Sequence, residues 1–329
     1  MNKDIAQLYG RQYTVRAPAK LNLRLKVEGR RGDGYHLLSM INVAVALYDE
    51  LKISLSQRPG ITLPRLSGGE GEWPEELKCP DKNLAARAAR GFVRQFGLPL
   101  GVEIELTKNI PLGAGLGGGS SDAAAVLKAM SAACRDVVCE TRKMSAAVFQ
   151  AQVLEIALRL GADVPFFLGP PFAHVAGIGE EIQELDWRVA AGFTFMLFLP
   201  PVSIATSQIY EAYRHRFPAL EFSRDEAGRR FAVRCRRVGG YLEGKGLGGE
   251  LMGLIENDLE PLVCETSDEV RALLGRLRGF KSLKAGLTGS GAAVFCIAPQ
   301  GNFNAGVIVS RLAEQGRVKV LNLRPHGPD

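Results

Sequence analysis

Hydrophobic and polar residues alternate along the N-terminal part of the chain, and the alternation predicts strands. Between Tyr13 and Glu28, every second residue from Leu21 to Val27 is apolar and the residues between them are polar. A period of two is the pattern of a strand with one face in the core. The same pattern predicts strands over 38–47, 51–55 and 102–106, the first two joined around Tyr48 and Asp49.

Apolar residues recur at helical spacing in the segments between and after these strands. The predicted helices span 83–96, 123–134 and 144–160, and Gly97 and Gly161 follow two of them as C-terminal stop signals. The segment 57–81 is rich in Gly, Pro and Glu, so we predict a loop there. We predict a polar link over 135–144.

The second half of the chain has shorter apolar segments between helices and glycine turns. We predict strands over 172–176, 182–185, 193–199 and 318–323, and a glycine turn that runs into a strand over 283–296. We predict helices over 205–214, 267–277 and 302–314, and a helical stretch that opens at 256–261. This mixture indicates an α+β protein with a split βαβ arrangement in its C-terminal part. The predicted domains are 1–188 and 189–329, with an Arg/Gly-rich insertion over 223–250.

The composition is that of a globular enzyme of about two domains. The chain has 329 residues, of which 46% are hydrophobic and 23% charged, as is usual for soluble globular proteins. No apolar run reaches the about 18 residues that a membrane crossing needs, and the N-terminus has no signal or transit pattern. The six cysteines form no Cys-x-x-Cys pair, which favours buried free thiols in a reducing cytoplasm.

The net charge is +6, and eight arginines between Arg214 and Arg237 contribute much of the excess. A nucleic-acid surface would combine such a patch with interleaved aromatic residues or with a known binding module. Neither is evident here. We therefore predict a solvated basic insertion that helps to attract an anionic substrate, and neither nucleic acid nor membrane as a partner.

The segment from Pro111 to Val126 is the strongest sign of chemistry in the chain. Five glycines lie within seven positions from Gly113 to Gly119, followed by Ser120, Ser121 and an alanine-rich run. Glycine is costly to order, but it exposes backbone N–H groups with no side chain in front of them. We predict Ser120 or Ser121 as the N-cap of the helix that follows. Bare N–H groups at the positive end of a helix dipole bind anions, so we predict a phosphate cradle.

Three phosphate-binding motifs compete for this segment. A P-loop ends in Gly-Lys-Ser/Thr, and it is excluded because no lysine lies between Lys108 and Lys128. The dinucleotide fingerprint matches Gly113, Gly115 and Gly118, but the second strand with a terminal acid that it requires about 20 residues later is missing. The third motif, a Pro-x-Gly-x-Gly-Leu-Gly loop followed by two serines, fits throughout. A flexible glycine linker does not suit flanks that are a strand and a helix.

Several polar residues outside the loop are candidates for an active site. Lys20 and Asn22 share parity on the first strand, so both should point to its polar face; a solvated lysine at a strand edge is the ordinary alternative. Tyr35 and His36 follow a glycine turn, where an aromatic side chain could stack on a flat ring. Asp163 lies between a helix end and an apolar run, and is equally an N-cap or a desolvated catalytic carboxylate.

Three separated strings together resemble the motifs of the GHMP kinases, a superfamily of small-molecule kinases. They are Ala17-Pro-Ala-Lys-Leu-Asn22 with Gly34-Tyr-His36, the glycine loop, and Gly286 to Phe295. The resemblance implies a two-domain GHMP kinase fold, with an N-terminal domain like domain 2 of ribosomal protein S5 and a ferredoxin-like C-terminal domain. The Gly-Tyr-His and Gly-Ala-Asp-Val-Pro strings narrow it to members of the non-mevalonate isoprenoid pathway. These use ATP to phosphorylate a cytidine diphosphate-linked polyol.

The resemblance also implies a role for each matching residue. Asp163 is implied as the base for the acceptor hydroxyl, and Lys20 as its electrostatic partner. The implied ATP site comprises Asn83, Leu84, Lys108, Pro111, Leu112, Gly113, Ala114, Gly115, Leu116, Gly117, Gly118, Gly119, Ser120 and Ser121. The implied acceptor site comprises Asn22, Tyr35, His36, Tyr210, Thr288, Gly289, Ser290 and Gly291. Within it, Tyr35 stacks on the cytosine, His36 bonds to the edge of the base and Tyr210 covers its other face.

Mg²⁺ is implied as well, because the phosphates of ATP and the diphosphate of the acceptor make a strongly anionic site. The sequence does not identify the metal ligands or decide between a monomer and a homodimer. A charged Asp122 would repel a phosphate in the cradle, so either it points away or a Mg²⁺ lies between them. We expect it to point away as an ordinary acid of the first helical turn. Three alternatives remain open: a GHMP kinase of the homoserine or mevalonate type, a nucleotide-binding regulator without catalysis, and a dinucleotide-binding oxidoreductase.

Overall fold

The structure, a computed structural model, describes residues 3–30, 36–69, 73–218, 249–301, 306, 308 and 318–327. Tyr35, nearly all of the 223–250 insertion and most of the predicted helix 302–314 lie outside the described residues. The chain forms two compact units. The first unit comprises Met1–Ala19, Leu47–Pro111 and Gly117–Gly169, and the second comprises Lys20–Ala46, Leu112–Leu116 and Pro170–Asp329. The domain boundary between residues 188 and 189 stays a prediction.

Two long strands, β1 (Gln12–Arg30) and β2 (His36–Ser56), contribute residues to both units, and the short helix α1 (Lys3–Ala6) precedes them. The strand predicted over 13–28 is confirmed. The strands predicted over 38–47 and 51–55 are confirmed, but the break between them is wrong, because both belong to the one strand β2. Asp49 favours turns by residue type. In the structure it continues the strand, and its buried carboxylate pairs with Lys108.

The first unit builds a sheet and covers it with helices. Its remaining elements are β3 (Gly60–Gly68), α2 (Glu75–Lys78), α3 (Leu84–Gln95), β4 (Gly101–Lys108), α4 (Gly118–Arg142), α5 (Ala146–Leu160) and α6 (Val164–Leu168). Strand β4 pairs antiparallel with β2 from Glu50 to Ser56 and parallel with β3 on its other side. Helix α3 packs on β3 and β4, and this contact joins the helices to the sheet.

Helices α3, α4 and α5 pack against one another through aromatic and small side chains. Phe92, Phe96 and Phe149 form a cluster in which the rings of Phe96 and Phe149 stack with their centroids 4.7 Å apart. Seven buried alanines line α3 and the start of α4: Ala85, Ala86, Ala88, Ala89, Ala123, Ala124 and Ala125. Because alanine favours a helix and adds little bulk, these faces let the two helices approach closely.

Two further predictions for the first unit are wrong. The segment 57–81 contains β3 and α2; β3 lies mostly exposed beside β4, so its sequence lacks the alternation of a half-buried strand. Helix α4 begins at Gly118, with Gly117 as a left-handed N-cap residue (φ 71°), and it continues through the expected polar link to Arg142. Packing against α3 and α5 outweighs the low helix propensity of its glycines and serines.

The second unit combines the N-terminal half of β2 and the C-terminal half of β1 with elements from the rest of the chain. These elements are β5 (Phe172–Gly177), β6 (Glu181–Glu184), α7 (Trp187–Ala191), β7 (Phe193–Leu199), α8 (Thr206–Arg216), α9 (Gly249–Gly253), β8 (Glu256–Asn257), α10 (Glu260–Thr266), α11 (Asp268–Arg278), β9 (Lys284–Leu287), β10 (Val294–Pro299) and β11 (Lys319–Leu323). Strand β5 pairs antiparallel with β2 and β6, and β8 pairs parallel with β1 at Arg24 and Leu25.

A separate antiparallel sheet in the second unit has the strand order β11-β7-β10-β9. Its central strands β7 and β10 are almost entirely buried, and α11 packs on β9 and β10. The predicted α+β class and the strand over 193–199 are confirmed. The helical stretch predicted to open at 256–261 is confirmed with a start at Glu260, but Glu256 and Asn257 before it form β8. Among the residues described, no helix is both long and apolar enough to cross a membrane.

Candidate functional site

The first unit contains the second half of the glycine loop and the start of helix α4. A Cβ atom on Gly118 would lie 3.0 Å from Ile110 Cγ2 and 3.3 Å from Lys108 Nζ, so there is little room for a larger residue. A Cβ atom on Gly119 would lie 3.4 Å from Leu84. The first N–H groups of a helix have no acceptor within the helix, and α4 is 25 residues long. This helix start can therefore bind an anion through backbone N–H groups and the helix dipole.

A buried ion-pair cluster anchors this helix start. Lys108 Nζ contacts the carboxylates of Asp49 and Asp122, at 2.7 Å from Asp122 Oδ2. Asp49 Oδ1 also accepts hydrogen bonds from the backbone N–H groups of Asn109 (2.6 Å) and Ile110 (2.8 Å). Asp49 and Lys108 thus fix the chain that leads into the glycine loop, and Asp122 ties α4 to it.

The expectation for Asp122 is wrong. Because α4 begins at Gly118, Asp122 lies beyond the first turn, and its side chain is buried against Lys108. Burial raises the pKa of Asp122 to about 7; Lys108 opposes the shift, and the nearby Asp49 adds to it. Burial alone would lower the pKa of Lys108, but the two carboxylates outweigh it and raise that pKa.

Asn83 and Leu84 lie at the start of helix α3. Asn83 is its N-cap: Oδ1 accepts hydrogen bonds from the N–H groups of Ala85 and Ala86, and Nδ2 donates to the carbonyl of Leu77. Beside this cap lies a cavity of about 100 Å³. Its lining consists of Leu63, Arg65, Leu66, Leu77, Lys78, Asn83 and Leu106. A mostly apolar cavity with a few polar groups is suited to a flat, partly polar ring.

Asp163 lies in the turn between α5 and α6. It occupies the N-cap position of α6, but its side chain makes no capping hydrogen bond. Capping therefore does not explain the acid at this position. A Cβ atom on the nearby Gly161 would lie 3.9 Å from Ser120 Oγ, and α6 packs on α4. Within the first unit, the turn that carries Asp163 thus lies beside the start of α4.

The second unit brings Lys20 and Asn22 together. Lys20 Nζ donates a hydrogen bond to Asn22 Oδ1 at 2.6 Å, and Asn22 Nδ2 donates to Asn42 Oδ1 at 2.7 Å. The shared parity is confirmed, and the two side chains lie among polar partners. Lys20 and Asn22 are 3% and 1% exposed, so the alternative of a solvated lysine at a strand edge is wrong.

The loop Thr288–Gly291 packs on the same part of β1 and on Leu112–Leu116. Thr288 Oγ1 accepts a hydrogen bond from the N–H of Asn22 at 3.0 Å, and the carbonyl of Leu116 accepts one from the N–H of Lys20. Gly115 has a φ of +74°, and a Cβ atom there would lie 2.6 Å from the carbonyl oxygen of Thr288. Glycine is therefore required at position 115 by both backbone conformation and space.

Other side chains hold this loop in place. Asn257 Nδ2 donates hydrogen bonds to the carbonyls of Leu287 (3.0 Å) and Gly289 (2.8 Å), and its Oδ1 accepts one from the N–H of Leu259. The hydroxyls of Ser290 and Thr206 are 2.8 Å apart. Asn257 thus ties the loop to strand β8.

His36 and Tyr210 lie together, with ring centroids 5.1 Å apart, and Tyr213 meets His36 edge-on at 6.1 Å. Burial lowers the pKa of His36, and the charges of Arg30 and Arg214 lower it further. The imidazole is therefore neutral at pH 7 and offers one hydrogen-bond donor and one acceptor. The role of Tyr35 cannot be placed beside them, because Tyr35 lies outside the described residues.

Three site-building residues escaped the sequence reasoning: Asn42, Asp49 and Asn257. Each carried a weak signal. Asn42 interrupts an apolar run, Asp49 is a charge inside a strand pattern, and Asn257 lies in a turn-forming Asn-Asp pair that was interpreted as a helix start. A buried polar group needs a partner, but their partners lie far away in sequence.

Among the residues described, no group of three His, Cys, Asp or Glu side chains could hold a metal ion. Two buried oxygens at the start of α4, Ser121 Oγ and Asp122 Oδ1, have no hydrogen-bond partner within that part of the chain. Hydroxyl and carboxylate oxygens are ligands that Mg²⁺ accepts, and it commonly completes its shell with phosphate and water. The donor set here therefore fits a Mg²⁺ ion that arrives with a nucleotide.

Two protein-family models match the chain. The model of the GHMP kinases N terminal domain matches residues 83–169, and the model of the GHMP kinases C terminal region matches residues 244–317. The first match contains the glycine loop and Asp163, and the second contains the Thr288–Gly291 loop.

Curated relatives match over most of the chain. It is 36% identical over 298 residues to the 4-diphosphocytidyl-2-C-methyl-D-erythritol kinase of Desulfotalea psychrophila, covering 89% of this chain and 87% of the relative. It is 37% identical over 303 residues to the kinase of the same name from Anaeromyxobacter sp. strain K, covering 92% and 85%.

Solved structures show the same fold. A crystal structure of a 4-(cytidine 5'-diphospho)-2C-methyl-D-erythritol kinase matches with a TM-score of 0.62 and 31% identity, covering 95% of this chain and all of the other. A homoserine kinase from Cytophaga hutchinsonii matches with a TM-score of 0.66 and 18% identity, covering 97% and 96%. At that identity the second match concerns the fold alone.

Proposed function

The chain belongs to the 4-diphosphocytidyl-2-C-methyl-D-erythritol kinase family of GHMP kinases, and on that premise we propose the reaction it catalyses. It transfers the γ-phosphoryl group of ATP to the 2-hydroxyl of 4-diphosphocytidyl-2-C-methyl-D-erythritol, in the non-mevalonate route to isoprenoids. The observation that carries the proposal is the glycine loop that ends directly at the start of α4, with the turn of Asp163 beside it. This arrangement supports binding of a phosphate next to a candidate base.

The phosphates of ATP bind to the backbone of the glycine loop from Pro111 to Ser121. Gly117, Gly118 and Gly119 have no side chains that could block the N–H groups at the start of α4. The phosphate oxygens can therefore approach the backbone closely. The adenine occupies the cavity beside Asn83, with Leu84 between that cavity and the loop. Lys108 supports the ATP site indirectly, because its ammonium is already paired with two carboxylates.

Asp163 accepts the proton of the acceptor hydroxyl, and Lys20 supplies a cation to the transferring group. Phosphoryl transfer needs an oriented hydroxyl and cancellation of charge on the phosphoryl oxygens more than covalent help. Asp163 is suited to this role because its turn lies beside the start of α4, where the phosphates are proposed to bind. Lys20 is suited because its buried ammonium is held in one orientation by Asn22.

The acceptor binds through residues of the second unit. Asn22 and the loop Thr288–Gly291 contact the polyol and its phosphates, and His36 bonds to the edge of the cytosine. The neutral imidazole offers a donor and an acceptor to that edge. Tyr210 covers the base next to His36, and the role of Tyr35 as a stacking partner stays a prediction.

Mg²⁺ accompanies ATP and neutralises part of the phosphate charge. Ser121 Oγ and Asp122 Oδ1 are the protein oxygens proposed to hold it. The cytoplasmic location, the monomeric or homodimeric state and the lack of a nucleic-acid partner also stay predictions.

An acceptor panel tests the proposal. The purified chain is assayed with ATP and Mg²⁺ against the cytidyl polyol, homoserine and mevalonate, and ADP release is followed with a coupled assay. We expect turnover of the cytidyl polyol, with kcat/KM for the other two at least about 10³-fold lower, because they lack the cytidine that His36 and Tyr210 recognise. Equal turnover of homoserine or mevalonate would contradict the substrate assignment.

Replacement of the base tests the mechanism. Asp163→Asn keeps the shape of the side chain but removes the proton acceptor, so we expect kcat to fall by about 10²–10⁴-fold. Binding of ATP, measured by calorimetry, should change little, since the phosphate cradle is backbone. Asp136→Asn, on an exposed part of α4, is the matched control and should keep the parent kcat. A variant Asp163→Asn with parent kcat excludes Asp163 as the base.

A further inference from the structure

Asn42 is not among the residues that the sequence implicates, yet it contacts Asn22, a residue of the proposed acceptor site. Its side chain is fully buried on β2 in the second unit. Asn42 Oδ1 accepts a hydrogen bond from Asn22 Nδ2 at 2.7 Å, and Met40 Sδ lies 3.4 Å from the same nitrogen. The amide nitrogen of Asn22 therefore has both of its protons directed to β2.

The oxygen of the same Asn22 amide accepts a hydrogen bond from Lys20 Nζ at 2.6 Å. An ammonium group donates hydrogen bonds and cannot accept them, so this contact requires the oxygen of the amide. The two ends of an amide have nearly the same shape, and a half-turn would place Nδ2 against the ammonium. Asn42 Oδ1 disfavours the turned amide, because two carbonyl oxygens would then face each other.

The pairing of buried hydrogen-bonding groups does not by itself favour asparagine over leucine at position 42. Asn42 Nδ2 is buried and has no hydrogen-bond partner among the described residues. A leucine would remove this unpaired donor and leave one on Asn22 instead, so asparagine gives no net gain in paired buried groups. What asparagine adds is an acceptor that distinguishes the two ends of the Asn22 amide.

We propose that Asn42 is a positioning residue for phosphoryl transfer: its carbonyl oxygen fixes the Asn22 amide in the orientation that holds the Lys20 ammonium. The inference rests on the proposed function, which takes Lys20 as the cation that faces the transferring group. Asn42 acts through Asn22, so its loss misdirects the ammonium while the start of α4, which lies in the first unit, is unchanged.

Three single variants of the full chain test this proposal by steady-state kinetics with ATP and the cytidyl polyol. Asn42→Leu removes the acceptor at similar volume, and we expect kcat to fall about tenfold or more, with KM for ATP within about twofold of the parent. Asn42→Asp keeps an oxygen in the accepting position, and should restore kcat to within about threefold of the parent. Should Asn42→Leu fail to fold, Asn42→Ala replaces it, because it adds no bulk.

Ser39→Ala is the matched control. Ser39 is buried on the same strand, and its hydroxyl forms a hydrogen bond of 2.8 Å with His174 Nε2. Its loss removes a buried hydrogen bond without contact to Asn22, so kcat should stay at the parent value. A parent-like kcat in Asn42→Leu, or an Asn42→Asp variant no better than Asn42→Leu, overturns the proposal.

A double-mutant cycle tests whether Asn42 acts through Asn22. In an Asn22→Ala background, Asn42→Leu should change kcat by less than about twofold, because the amide to be oriented is gone. A full tenfold loss in that background overturns the proposal.

A structural measurement separates this inference from the proposed function. If the parent does not phosphorylate the cytidyl polyol, the proposed function has failed, but crystal structures of the parent and Asn42→Leu still test the orientation. The contact of 2.6 Å between Lys20 Nζ and Asn22 Oδ1 should be lost in the variant. Its retention overturns the inference.

Discussion

At the scale of single residues, one ammonium is shared between two buried carboxylates near the start of α4. Lys108 can neutralise one negative charge, while Asp49 and Asp122 carry two when both are ionised. Asp49 also accepts hydrogen bonds from two backbone N–H groups. Burial raises the pKa of Asp122 to about 7, so Asp122 is protonated below that pH.

The raised pKa of Asp122 predicts a pH dependence of stability. An acid whose pKa is higher in the folded state contributes stability at low pH, and that contribution is lost as pH rises through the folded pKa. From pH 5 to pH 8, the free energy of unfolding of the parent should therefore fall relative to that of Asp122→Asn, by up to about 3 kcal/mol. Urea unfolding of both proteins at several pH values measures the difference.

The control for this prediction is Asp136→Asn, which removes an exposed carboxylate from the same helix. Its free energy of unfolding should follow that of the parent across the pH range. Parallel curves for the parent and Asp122→Asn would show that Asp122 is ionised throughout.

At the scale of elements, the function depends on short segments whose backbones approach closely. Gly115 lies against the carbonyl of Thr288, and Lys20 and Asn22 of β1 hydrogen-bond to Leu116 and Thr288. The position of the loop Thr288–Gly291 is thus set by close contacts with the backbone of the second unit. Asn257 adds a side-chain tie to the same loop.

Gly115→Ala tests this close approach. A Cβ atom at position 115 meets the Thr288 carbonyl and also strains a positive φ. Gly10→Ala is the matched control, because Gly10 has a φ of +79° but no atom within 4 Å of its Cβ position. Gly115→Ala should lower the free energy of unfolding by about 1–3 kcal/mol more than the control. Its kcat/KM for the acceptor should fall about tenfold or more, and equal effects of the two substitutions would contradict the reasoning.

The elements that the sequence predicts well are those whose own pattern decides their structure. Strands 13–28 and 193–199 follow from alternation and from a continuous apolar run. Strand β3 was missed because it is mostly exposed, and the true start of α4 because glycines and serines have low helix propensity. In both cases a neighbouring element stabilises the segment, and the local sequence pattern carries no information about that neighbour.

At the scale of the whole molecule, the net charge of +6 acts on two anionic substrates, ATP and a diphosphate ester. We expect kcat/KM for both to fall about threefold or more as salt rises from 0.1 M to 1 M, because the screening length shortens from about 10 Å to about 3 Å. The value of kcat should change little, since bound substrates are already in place. Sucrose at matched viscosity is the control, and a kcat/KM that does not respond to salt would contradict the prediction.

The fold class and family were predictable because three motifs specify backbone conformations that few sequences share. Lys20 and Asn22 were implicated by those motifs, and Asp163 by the separate Gly-Ala-Asp-Val-Pro string. Asn42 and Asp49 were not, because each is defined by a partner on another strand and belongs to no short string. A site's supporting residues are determined by tertiary contacts, and sequence patterns report mainly local ones.

The buried alanines on α3 and at the start of α4 have a consequence for how the chain tolerates mutation. Ala85, Ala89 and Ala124 are at most 1% exposed and the two helices pack on each other, so we expect a larger side chain at any of these positions to displace a helix. The small size of these alanine side chains therefore helps to keep α3 and the start of α4 in position. In a map of allowed substitutions, these smallest of side chains should rank beside the large core aromatics as the least replaceable positions.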